Sequence, residues 1–361
     1  MKLAFLAVTA KGARLAVKLA QALPAAQVEV YAKHAEPEER ELCLPLDSLA
    51  ETVKLRFADC DGLVFFMALG IVVRMVGPLL ADKRRDPAVV AVDDGSHFAI
   101  SVLSGHIGGA NELTQQVAEA LEAVPVITTA TDVAGAVAAD VLAVKLGLKL
   151  EPFGEMKYIN AALAAGKPVS FLLDETLPQA ATWRERAAEL GVDFQPLSAW
   201  QDGGECLVIL SDCWQPDLTA HTAHVLYLRP PSLLVGMGCR KGASPELIEQ
   251  AAQEALAAKG YSVASVASLG SAWLKAEEPG LRALAAAWKI PFICYEKESL
   301  AQAVKEYQLE QSNFVSQRIG VGNVCEAAAW LQNQYKQGEL VIPKTKRGPV
   351  TVAVVRGGLS S

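Results

Sequence analysis

The sequence predicts an α/β protein: an N-terminal region with a doubly wound, mostly parallel sheet, a connecting α/β lobe, and a separate C-terminal α/β domain. Three observations carry this. Short continuous apolar runs recur along the chain, which is how strands buried on both faces read. Alanine-rich amphipathic segments fall between them, as helices do in βαβ units. Hydrophobic residues make up 52% of the 361 positions and charged residues 20%, enough to build a large core and too apolar for disorder.

In order, Leu3–Val8 reads as a first strand, followed by a turn at Lys11-Gly12 and a helix from Ala13 to Leu23. The apolar run after Met1-Lys2 mimics a short signal peptide, but Lys11, Arg14 and Lys18 arrive too early for one. Further strands are expected at Val28–Tyr31, Gly62–Met67, Val89–Asp93 and Val124–Ile127, with helices at Ala68–Pro78 and Asn111–Leu121. The polar strand end Thr128-Thr129-Ala130-Thr131-Asp132 closes an N-terminal domain, residues 1–132. The stretch 133–231 reads as a central lobe, with a Lys157–Ala165 helix and strands Val169–Leu173 and Cys206–Ser211. Arg229-Pro230-Pro231 marks a boundary, because consecutive prolines continue neither helix nor strand. The C-terminal domain, 232–361, opens with a strand, a glycine loop, an N-cap at Ser244 and Pro245 at the first helical position. It is expected to include strands at Phe292–Tyr295 and Val350–Val355.

No stretch reaches the ~20 apolar residues that a membrane helix needs, so a soluble, cytoplasmic protein is expected. A net charge of -7 argues against a general nucleic-acid binder. The local clusters Lys83-Arg84-Arg85 and Arg240-Lys241 suit either a small acidic ligand or a solvated turn. Seven cysteines at irregular spacing suit reduced thiols. His221 and His224 lack a further ligand nearby in sequence, so no metal site is expected.

The densest chemistry sits in Ser104-Gly105-His106-Ile107-Gly108-Gly109-Ala110-Asn111-Glu112. A strand ending in Asp93-Asp94-Gly95 precedes this glycine loop and a helix follows it. Such a turn presents backbone N–H groups to an anionic or oxygen-rich group, and here it also carries an imidazole, an amide and carboxylates. By contrast, Gly236-x-Gly238 lacks the full dinucleotide fingerprint, because the next glycine is Gly242.

Met67–Arg74 through Lys83–Asp93, Ser101–Glu112 with Val126–Asp132, and Gly236–Ser244 with Gly320–Ala329 form three blocks. Together they resemble the CbiG family, the cobalt-precorrin-5A hydrolases of anaerobic cobalamin biosynthesis. The likeness covers nearly the whole chain. Ser268–Lys275 departs from the family by losing a carboxylate, and Tyr295 is a neutral departure. The resemblance implies a cobalt-containing tetrapyrrole substrate bearing carboxylates. Water opens its δ-lactone, and the extruded carbon leaves with its methyl as acetaldehyde, giving cobalt-precorrin-5B. The resemblance implies no cofactor of the protein's own, since the cobalt belongs to the substrate. Other enzymes of the corrin pathway are conceivable partners. A non-catalytic tetrapyrrole carrier is the competing reading.

That chemistry needs a base, an oxyanion pocket and cationic clamps. His106 is expected as the general base, because its ordinary pKa of about 6.5 lets it exchange protons near neutrality. Asp93 or Asp94 is expected to orient it. Gly108, Gly109 and Asn111 are expected to hold the oxyanion, with Asn111 alternatively capping the helix and Glu112 facing its dipole, and Ser104, Gly105 and Glu112 are expected among the substrate-binding residues. Gly70, Thr129 and Asp132 join the substrate-binding set. Arg74, Lys83 and Arg84 are expected to clamp carboxylates from the N-terminal side. Gly238, Cys239, Arg240, Lys241 and Glu326 are the C-terminal contributors, with the two glycine loops expected to share a cleft. Cys239 and Cys325 have no base evident nearby in sequence that would make them nucleophiles.

Overall fold

A computed structural model describes residues 1–82, 85–129, 137–200, 204–220, 222–312, 316–317, 320–334 and 338–357. The chain divides into two compact units, Met1–Val141 and Leu142–Ser361.

The first unit is a seven-stranded sheet in the order β3-β2-β1-β4-β5-β6-β7. Its strands are β1 (Lys2–Ala7), β2 (Gln27–Ala32), β3 (Leu44–Pro45), β4 (Gly62–Phe66), β5 (Ala88–Val92), β6 (Phe98–Leu103) and β7 (Val124–Val126). β5 and β6 run antiparallel and the other neighbours run parallel. β1, β4 and β5 read as continuous apolar runs because helices cover both faces. Phe5, Val64, Phe66, Val90 and Val92 pack with α1 (Ala10–Ala22) and with the helix Ala110–Leu121. Leu6, Phe65, Val89 and Ala91 pack on the other side with Val53 and Val72. These two belong to the helices Leu49–Asp59 and Leu69–Val76. Phe5 and Phe66 meet edge to face at 6.1 Å, a contact worth about 0.5–1.5 kcal/mol beyond burial. α1 starts where Thr9 accepts a hydrogen bond from Gly12 N–H at 2.9 Å.

The second unit holds two five-stranded sheets. One has the order β10-β9-β11-β12-β8, from β8 (Lys149–Glu151), β9 (Ser170–Leu173), β10 (Gln195–Pro196), β11 (Cys206–Leu210) and β12 (His224–Arg229). The other has the order β15-β14-β13-β17-β16, from β13 (Leu233–Cys239), β14 (Val266–Ala272), β15 (Phe292–Tyr295), β16 (Glu339–Arg347) and β17 (Val350–Arg356). Ser244 caps the helix Pro245–Ala257 by accepting from Leu247 N–H. The central and C-terminal sheets lie in the same compact unit, with polar contacts between them. Trp214 N–H donates to the Gly260 carbonyl, and Ser262 donates its hydroxyl to Glu151 at 2.5 Å. Arg229, fully buried, donates to the same Glu151 oxygen at 2.8 Å and lies against the rings of Tyr227 and Trp214.

Candidate functional site

The antiparallel β5–β6 pair sets where everything in the N-terminal site lies. β5 ends at Asp93, a tight turn follows, and β6 returns alongside it, with Val92 opposite Ala99 and Val89 opposite Leu103. The glycine loop that leaves β6 therefore emerges at the start of β5, a strand of five residues away from Asp93. At ~3.4 Å per residue that separation is about 17 Å.

Asp93 and Asp94 consequently do not reach His106, which corrects the expectation that one of them orients the ring. Asp93 closes the hairpin: Oδ1 accepts from Phe98 N–H at 2.7 Å and Oδ2 from Gly95 N–H at 2.9 Å. Its Oδ2 also lies 3.1 Å from His97 Nδ1. Partial burial pushes the Asp93 carboxyl up, but the Phe98 and Gly95 donors outweigh it and hold the group below its ordinary value. Asp94 accepts the Thr9 hydroxyl at 2.9 Å, at the other end of the strands from the glycine loop.

The carboxylate that meets His106 is Asp140, in the first turn of the helix Ala139–Leu146. His106 Nδ1 lies 3.1 Å from Asp140 Oδ2 and 3.2 Å from Oδ1. The imidazole is 11% exposed and the carboxylate 6%. The ring is thus held in a polar pocket more enclosed than a loop rim. Asp140 is 34 residues from His106 in a stretch without local motifs, and nothing in the sequence singled it out.

The loop is shaped by its glycines. Ser104 has φ +59° and Gly109 φ +81°, and a Cβ on Gly108 would sit 2.3 Å from Ser104 Cβ. A Cβ on Gly105 would sit 2.7 Å from Asn111 Oδ1. Gly109, not Asn111, is the N-cap of the following helix. The N–H groups of Gly109, Ala110 and Asn111 turn back to the carbonyls of His106, Ser104 and Gly105 at 2.9, 3.1 and 3.0 Å. Those of Gly109 and Asn111 are therefore not open to an oxyanion, contrary to expectation, whereas Gly108 N–H has no partner among the described residues. The Asn111 side chain, buried, accepts the Ser101 hydroxyl at 2.7 Å and donates to Thr129 Oγ1 at 2.9 Å. Thr129 follows β7, which runs parallel to β6 and ends at the same edge. Glu112 is exposed in the helix's first turn.

Ser104 donates its hydroxyl to the Asp86 carbonyl at 2.9 Å. The Asp86 carboxylate in turn accepts from the N–H groups of Ala81 and Asp82. That brings exposed Arg85 to the same edge as the loop. Lys83, Arg84, Asp132 and His221 lie outside the described residues. Arg74 is exposed and donates to the Gly70 carbonyl of its own helix at 3.1 Å, so its guanidinium forms no ion pair among the described residues. Gly70 is also exposed.

In the second unit, Arg240 and Lys241 are exposed on the loop after β13. Gly238 O accepts the Thr351 hydroxyl at 3.2 Å. Glu278, missed in the sequence, braces this loop: its carboxylate accepts Gly242 N–H at 2.9 Å and Lys275 Nζ at 2.6 Å. The Lys275 ammonium and then the Gly242 donor hold its carboxyl below the ordinary range. Burial raises the Cys239 thiol, against the opposing pull of Lys275. Burial also raises the Cys325 thiol, to about 11, so this thiol stays protonated and a poor nucleophile. Glu326 is not open to substrate as expected. It is buried, with Oε1 accepting Lys344 N–H at 2.7 Å and Oε2 accepting the Asn323 amide. Among the described residues no group of three His, Cys, Asp or Glu side chains is placed to hold a metal, and no helix is long and apolar enough to cross a membrane.

Three family models cover the chain in sequence. Cobalamin synthesis G N-terminal matches residues 51–132, the cobalamin biosynthesis central region matches 137–230, and cobalamin synthesis G C-terminus matches 233–355. A cobalt-precorrin-5A hydrolase of Priestia megaterium is 32% identical over 97% of this chain and 94% of its own length. One from Salmonella typhimurium is 32% identical over 98% and 97%. A probable cobalt-precorrin-5A hydrolase of Methanocaldococcus jannaschii is 28% identical over 82% and 86%.

Proposed function

The chain belongs to the cobalamin synthesis G (CbiG) family, and we propose from that membership that it hydrolyses cobalt-precorrin-5A, with His106 moving the protons. It is a hydrolase of cobalamin biosynthesis. The observation that carries the reading is 32% identity to two such hydrolases over nearly the full length of each pair.

Two steps follow from the chemistry. Water adds to the lactone carbonyl as His106 takes its proton, and the tetrahedral adduct collapses to a carboxylate and a free hydroxyl. The hydroxyl then loses its proton, its C–O bond becomes C=O, and the bond to the macrocycle breaks. The electron pair passes into the conjugated ring, which takes up a proton, and acetaldehyde leaves. A positioned base supplies ~10²–10⁴-fold to such a step. The Gly108 N–H is suited to the transient oxyanion, and one such donor is worth about 10²–10³-fold. Arg85 on the same edge, with Lys83 and Arg84 adjacent in sequence, supplies charge complementary to the substrate's carboxylates. Cobalt enters with the substrate, and no resident cofactor is invoked. All seven cysteines are free thiols, which supports a reducing, cytoplasmic setting.

The test is acetaldehyde release. Purified protein incubated with cobalt-precorrin-5A should give one acetaldehyde per substrate consumed, read by a coupled alcohol dehydrogenase. Tight binding of the substrate without acetaldehyde would replace this reading with a carrier role.

A further inference from the structure

We propose that Asp140 is a positioning residue for the reaction, fixing the tautomer and orientation of His106. The inference rests on the reading of His106 as the proton-transfer group. Both carboxylate oxygens lie within hydrogen-bond reach of one ring nitrogen, Nδ1, at 3.1 and 3.2 Å. An ionised carboxylate only accepts, so Nδ1 carries the proton and the lone pair of the neutral ring sits on Nε2. The pair is nearly dry, with 11% and 6% of the two side chains exposed. In such surroundings a paired carboxylate stabilises the imidazolium that forms when Nε2 takes up a proton. Asp140 lies in the first turn of the helix Ala139–Leu146, whose positive end favours the anionic form.

The geometry also explains how the loop holds its ring. The backbone at position 106 is held by the loop's own hydrogen bonds, Gly109 N–H to the His106 carbonyl and Asn111 N–H to the Gly105 carbonyl, and Asp140 provides the second anchor, on the ring itself. The arrangement is that of a base with its orienter, formed from segments 34 residues apart.

The test compares wild type, Asp140→Asn, Asp140→Glu and His106→Gln, using cobalt-precorrin-5A as substrate and acetaldehyde as readout. Asp140→Asn can turn an N–H toward Nδ1 and favour the other tautomer, so kcat should fall ~10²–10⁴-fold with KM within about threefold. Asp140→Glu should restore part of the loss, which a purely structural side chain would not require. Nitrogen-15 spectra of the histidines in the wild-type protein should show the His106 proton on Nδ1. This measurement still decides the matter if the Asn variant fails to fold. A proton found on Nε2, or an Asn variant with wild-type kcat beside an inactive His106→Gln, overturns the role of Asp140 alone. Full activity in His106→Gln overturns the reading of His106 itself and this inference with it.

Discussion

Arg356, at the end of β17, grips both oxygens of Asp212, a residue 144 positions earlier: Nε to Oδ2 and Nη2 to Oδ1, each at 2.8 Å. The same guanidinium donates to the Thr176 carbonyl and hydroxyl at 3.0 and 2.9 Å, and Asp212 also accepts the Ser232 hydroxyl at 2.6 Å. This network joins the central sheet to the C-terminal one.

Removing one side of that buried pair strands the other charge. Arg356→Met should therefore lose about 3–5 kcal/mol of stability, read as a lower denaturant midpoint. Adding Asp212→Asn to that variant should recover part of the loss, because no unpaired anion is then left inside. A single variant as stable as wild type would show that the pair contributes nothing to cohesion.

Gly108 and Gly109 separate two kinds of glycine requirement. At Gly109 a side chain meets open space but must adopt φ +81°, so Gly109→Ala should cost roughly 1–2 kcal/mol and leave the loop in place. At Gly108 a Cβ collides with Ser104 Cβ at 2.3 Å, so Gly108→Ala must move the loop that carries His106. Acetaldehyde release should fall far more in Gly108→Ala than in Gly109→Ala. Equal activities would detach the loop's shape from the chemistry.

Asp93 gives a pH prediction. Its folded-state carboxyl lies below the ordinary value, so its contribution to stability is fully present above the unfolded pKa of about 3.9 and is lost as pH falls through the lower folded value. Asp93→Asn should unfold at lower temperature than wild type near neutral pH. The gap between the two should close as both are taken to acid. A gap independent of pH would mean that the anion is not what the Phe98 and Gly95 N–H groups bind.

Much of this fold was legible because doubly covered strands leave unbroken apolar runs, as at Gly62–Phe66 and Ala88–Val92. β6 was not, because Phe98 is exposed, Ser101 interrupts the run, and only Ala99 is fully buried. Missing that strand placed Asp93 and Asp94 beside the glycine loop instead of a strand's length away. The loop itself was readable, since a histidine among glycines between two patterned segments is a local signal. Asp140 was not, because its partnership with His106 depends on tertiary closure between segments with no shared pattern. Glu326 misled for the opposite reason: its neighbourhood resembles a binding loop, yet its carboxylate is used to hold Lys344 and Asn323 in place.

The most direct test of the account is the single-turnover rate of acetaldehyde formation from cobalt-precorrin-5A by wild type and by His106→Ala, both shown to be folded and to bind the substrate. The account predicts a loss of ~10²–10⁴-fold in the variant with binding largely kept. An undiminished rate would contradict it, and the proton would have to be moved by another group.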